Sequence, residues 1–114
     1  MEDKRKLKRR ELVYHLKLYD VETGEVIGRV VDIHAEGLKI SGNRKFDAGQ
    51  RLECAIELPK EIFGRQKIRF GAAVLWCKPD LNPDLTATGM QFVTIASEDL
   101  ECLIGLMAQY SFGD

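Results

Sequence analysis

Short runs in which apolar and polar side chains alternate, separated by turn residues, most limit what this chain can fold into. From Leu12 to Tyr19, Leu12, Tyr14, Leu16 and Leu18 fall on one side, and Val13, His15, Lys17 and Tyr19 on the other. That two-residue period belongs to a half-buried strand. Arg51–Leu58 repeats it with Leu52, Cys54, Ile56 and Leu58 inward, and Pro59, which cannot donate to a ladder, is expected to end the run. Lys67–Cys77 is the longest run; its parity puts Ile68, Phe70, Ala72, Val74 and Trp76 on one face, with Phe70 and Trp76 read as core. Val26–Ile33, Leu38–Ser41 and Thr88–Val93 complete the set. Asp20–Glu25 has turn chemistry, with Gly24 able to take positive φ, so the first two strands should form a hairpin.

Helical spacing takes over only at the end. Ser97 suits an N-cap, Glu98 and Asp99 suit a first turn, and Leu100, Leu103, Ile104 and Met107 recur on one face, predicting an amphipathic helix over Ser97–Tyr110. About six strands, one terminal helix and no internal repeat predict a mostly β domain, a small closed or nearly closed antiparallel barrel that leaves few exposed edges.

Composition narrows the partners. A hydrophobic content of 45% and a charged content of 31% are those of a soluble globular chain. No apolar stretch is long enough to span a bilayer, and the charge from Glu2 onward does not suit a signal peptide, so no membrane insertion is expected. Cys54, Cys77 and Cys102 are odd in number, far apart and without a CxxC pair, which favours small apolar residues in a reducing cytoplasm over a disulfide framework or a zinc site. The net charge of −1 is unevenly spread. Lys4, Arg5, Lys6, Lys8, Arg9 and Arg10 face only Glu2 and Asp3, a balance of +4 in the first ten residues, while the rest of the chain carries −5. Residues 1–11 therefore read as a flexible basic arm and 12–114 as the barrel domain. A nucleic-acid polymer would call for basic residues across a face of the fold, and a stacking groove would need more exposed aromatics.

Two features stand out from this scaffold: the arm, with an RxxxR spacing from Arg5 to Arg9, and Asp32-Ile33-His34-Ala35-Glu36-Gly37, where a strand ends in a carboxylate and a turn closes on glycine. With the hairpin between them and the ending Gly89-Met90-Gln91-Phe92, the chain resembles the PilZ family, which is marked by R-R-x-x-x-R followed by D/N-x-S-x-x-G. The resemblance spans nearly the whole sequence. It implies a six-stranded antiparallel PilZ-like barrel with a C-terminal helix, a cytoplasmic bacterial module, and cyclic di-GMP as its ligand. On that resemblance Arg5 and Arg9 take the RxxxR roles with Lys4 leading; a one-residue shift would instead use Arg5 first and Arg10 last.

The chemistry fits the ligand. Arginine pairs bidentately with phosphate, reaches guanine O6 and N7, and stacks on rings. Asp32 would accept from the guanine N–H edge, and Gly37 would let the backbone turn and come close. Asp32 could equally serve its own turn. His34 stands where the family has serine. An imidazole can donate to phosphate and is cationic when protonated, yet its bulk could occlude the pocket. His15 reads as an ordinary strand residue.

No HExxH, GxSxG or P-loop motif is present, so no catalytic set, metal site or cofactor is expected. The leading expectation is a cyclic di-GMP sensor that relays the signal to a downstream protein partner, with motility, adhesion or polysaccharide export as the family's outputs. The alternative is a PilZ-like interaction adaptor that no longer binds the nucleotide.

Overall fold

The computed structural model describes residues 16–62 and 64–111. The basic arm, with Lys4, Arg5, Arg9 and Arg10, lies outside the described residues, as do Leu12–His15 at the start of the expected first strand.

Six strands follow in chain order: β1 (Lys17–Asp20), β2 (Val26–His34), β3 (Gly37–Gly42), β4 (Arg51–Ile62), β5 (Arg65–Pro79) and β6 (Thr86–Thr94). They are joined antiparallel in the order β1-β2-β3-β6-β5-β4, and β4 returns to β1 to close the barrel. Helix α1 (Ser97–Ser111) completes the chain. The core forms as the alternation requires: Leu16, Leu18, Ile40, Ile56, Ile68 and Val74 are all but fully buried. The β1–β2 turn has the expected chemistry. The Glu22 N–H donates to Asp20 Oδ1 at 2.9 Å, the Gly24 N–H donates to the Asp20 carbonyl at 2.7 Å, and Gly24 takes φ 76°.

Three expectations need correcting. Pro59 does not end β4, which runs on to Ile62. Beyond Glu57↔Lys67 the β4–β5 register shifts before Ile62↔Arg65, so the proline falls where the ladder is already irregular and its missing donor costs little. The helix buries Cys102, Leu103 and Leu106, leaving Ile104 37% exposed, a face turned from the one predicted. Cys102 joins the core as a small apolar residue. The Leu100 N–H donates to the Ala96 carbonyl at 3.0 Å, which puts the helix cap one residue before Ser97.

Candidate ligand-binding face

Two β-bulges shape the outer wall. On β2 the buried apolar residues are Ile27, Val30 and Ile33, three apart rather than two. One register shift against β1 falls at Leu18/Tyr19, and another against β3 falls at Val30/Asp32. An extra residue in one strand turns every later side chain to the other face. The second shift makes Val31 and Asp32 both point outward, so Asp32 joins His34 on the exterior. The same event occurs on β5. The register shifts between Val74 and Trp76, leaving Leu75 53% and Trp76 37% exposed, while Cys77 takes the next inward place. Trp76 is therefore not core; its parity in the sequence was right and the bulge inverted it. Phe70, before the bulge, is buried and meets the Phe92 ring edge-on at 5.1 Å.

The two bulges converge. Asp32 lies opposite Lys39, Lys39 opposite Gly89, and Gly89 opposite Trp76, a single row across β2, β3, β6 and β5. The next row on that face, past Ile33, Leu38 and Met90, is His34, Gly37 and Gln91. Asp32, Lys39, Gly89, Trp76, His34 and Gln91 line a shallow cavity of about 390 Å³ with Glu36, Leu38, Leu75 and Met90. Gly89 is the seat of the indole, since a Cβ there would collide with the Trp76 ring. The Lys78 ammonium lies 5.0 Å from the centre of the same ring, a cation–π contact.

The hairpin carrying Asp32 and His34 is fixed at its tip. The Glu36 N–H donates to His34 Nδ1 at 3.3 Å, and the Phe92 N–H donates to the Glu36 carbonyl at 2.9 Å. An accepting Nδ1 puts the proton of a neutral imidazole on Nε2, leaving a donor for a ligand. His34 thus bonds to the turn backbone two residues on, a pattern that short polar side chains also make. Gly37 opens β3 opposite His34 and Gln91 and is not among the glycines with positive φ. A Cβ on it would collide with the Met90 carbonyl oxygen, so the close approach of β3 to β6 accounts for the glycine.

Of the residues picked from sequence, Asp32, His34 and Gly37 come together here. Lys39, Gly89, Gln91, Leu75 and Trp76 were missed. The consecutive apolar pairs Val30-Val31 and Leu75-Trp76 were the available signal, since each interrupts the alternation. The chain enters the described structure beside this face: the Val30 N–H donates to the Leu16 carbonyl at 2.8 Å, and Val30 is two residues from Asp32.

A wall of this kind can bind a ligand. Its groups are donors, acceptors and one aromatic plate, the equipment of a small β-barrel recognition domain. A PilZ domain profile matches residues 3–109, and the chain belongs to the PilZ domain family. Domains of this family are binding and adaptor modules related to cyclic di-GMP signalling and are not typically enzymes. Among solved structures, the Bacillus subtilis inhibitor of motility (MotI/DgrA) shares the fold with a TM-score of 0.66 at 20% identity. The match covers 93% of this chain and 52% of that one, so the chain spans about half the length of that structure. No curated protein matches the sequence. No helix among the described residues is long and apolar enough to cross a membrane.

Proposed function

We propose that the domain binds cyclic di-GMP on the wall between β2 and β5 and passes the signal to a protein partner. The observation that carries this reading is the row Asp32–Lys39–Gly89–Trp76, near the point where the chain enters the described residues at Leu16. Each position answers a need of the ligand. Asp32 accepts from a guanine N–H edge, Lys39 and the arm's Arg5 and Arg9 neutralise phosphate, and the Trp76 face offers a base a stacking surface. His34 Nε2 donates to a phosphate oxygen. Lys4 and Arg10 hold the flanking places of the arginine motif in its two registers. Closing the arm over the ligand would change the surface offered to a partner, an ordering switch of a familiar kind.

Calorimetric titration with cyclic di-GMP is the test. Saturable binding that GMP and cyclic AMP do not reproduce supports the reading, and Arg9→Ala should then cost about 1.5–3 kcal/mol of binding. A flat titration with folded protein would transfer the function to the second reading, an adaptor without the nucleotide. The carboxylates of Asp32 and Glu36, both lining the cavity, favour that second reading by opposing a phosphate there.

A further inference from the structure

The loop between β5 and β6 presents a leucine that no described residue covers: Leu81 is 101% exposed. The loop is nevertheless well braced. The Ser41 hydroxyl donates to Asp80 Oδ2 at 2.7 Å, the Leu81 N–H donates to Asp80 Oδ1 at 2.8 Å, and the Asp80 N–H donates to the Leu85 carbonyl at 3.0 Å. The Asp84 N–H closes on Asn82 Oδ1 at 2.9 Å. These bonds hold an apolar projection out into water with Asp84 exposed beside it.

Next to the projection is a hollow of about 450 Å³, at the far end of β2 from the candidate ligand face. Val26, 50% exposed, lies in it, Lys17 and Arg29 bring positive charge, and Leu85, from the loop itself, forms part of its lining. One patch therefore contains an acidic apolar projection and an apolar recess with a basic rim. Under a two-fold axis such a patch complements itself, because each copy's projection meets the other's recess. We propose that a second copy of this chain docks here, each Leu81 entering the Val26 hollow of the other and each Asp84 facing the other's Lys17.

Sedimentation equilibrium of the full chain tests this. A reversible dimer is expected, weakened by added salt because the charged rim contributes. Leu81→Asp, on a fully exposed loop residue whose fold can be checked by circular dichroism, should weaken association at least about tenfold, as loss of an anchor does. Asp84→Lys and Lys17→Glu should each weaken it, and the two combined should recover it. Mixing Leu81→Cys with Val26→Cys should yield a disulfide between the two variants under mild oxidation, above the background of the wild type. A wild-type chain that stays monomeric at hundreds of micromolar, or a dimer indifferent to Leu81→Asp, would overturn the proposal.

Discussion

Two walls of this barrel are made from the same kind of strand and behave oppositely. Along β4 the register with β5 runs without a break from Arg51↔Ala73 to Glu57↔Lys67. Its parity stays true there, with Cys54, Ile56 and Leu58 inward and Glu53 and Glu57 outward. Across β2, β3, β6 and β5 the register slips, and each slip puts a pair of neighbouring side chains outside. The regular wall spends its side chains on the core. The bulged wall gives up that economy and gains Asp32, Leu75 and Trp76 on its surface. Two of the barrel's departures from regular pairing, at Val30/Asp32 and Val74/Trp76, turn the side chains of the candidate face outward.

The largest expected effect falls on the regular wall. Ile56 is fully buried, between Leu18 on β1 and Ile68 on β5, both fully buried as well. Ile56→Ala should lower unfolding free energy by about 2–5 kcal/mol in urea titration. Leu75→Ala on the bulged wall should lie within about 0.5 kcal/mol of wild type, since that side chain is already half in water. Equal losses would show that the two walls are not distinct. Gly37→Ala comes next. It forces the β3 backbone away from Met90, and overpacking of this sort costs roughly 1–3 kcal/mol.

The same contrast decides what could be read in advance. The strands, the β1–β2 turn with Gly24 and the existence of the helix were legible because each depends on local pattern or local turn chemistry. Asp32, His34 and Gly37 were legible as a motif. Trp76 was assigned to the core because its parity matches Val74, and a single inserted residue reverses that without leaving a mark on the parity itself. Lys39 and Gly89 were invisible for a related reason: their place in the row depends on cross-strand register, which a linear sequence does not contain. Ile104 failed differently. Helical spacing allowed two faces, and tertiary packing chose the one with Cys102 and Leu106.

Cysteine chemistry gives a smaller effect, with opposite signs on the two walls. On β4, burial pushes the Cys54 thiol up to about 12, with the Asp20 and Glu53 carboxylates adding to it. An unfolded thiol ionises near about 8.5, so between there and about 12 the folded state keeps a proton that the unfolded state releases. Stability from this group is complete below that window and falls by about 1.4 kcal/mol per pH unit within it. Cys54→Ala should remove that alkaline slope in urea titrations at pH 8 to 10. Cys77, on β5, goes the other way. Partial burial pushes its thiol up, but the Thr88 hydroxyl, donating to Sγ at 3.3 Å, the Phe46 backbone, Thr86 and Lys45 outweigh that and hold it below its usual value. Its contribution therefore grows as pH rises toward the unfolded value and is lost as pH falls through the folded one. Alkylation near pH 8 should reach half-buried Cys77 before Cys54 or Cys102, both buried. If Cys54 were modified first, the regular wall would not be the sealed one.

A small change in stability, at Gly89, is the sharpest probe of the bulged wall. Gly89 and Gly37 both leave no room for a Cβ, but what occupies the space differs: a carbonyl of the neighbouring strand at Gly37, and the Trp76 ring at Gly89. A backbone group cannot move without breaking the ladder. An indole already 37% exposed can swing toward solvent. Gly89→Ala should therefore cost less than about 1 kcal/mol of stability, below the overpacking range expected for Gly37→Ala. It should nevertheless displace the indole from its seat and from Lys78, shifting tryptophan fluorescence to the red. Trp76 is the chain's only tryptophan, so the signal is unambiguous. Should the Trp76 plate stack on a base, Gly89→Ala would also weaken cyclic di-GMP binding by about 1–3 kcal/mol, the range found when a stacking aromatic is removed. An unmoved fluorescence maximum together with a stability loss as large as that of Gly37→Ala would mean that the Trp76 seat is rigid core structure, and the distinction between the walls would not hold at this point.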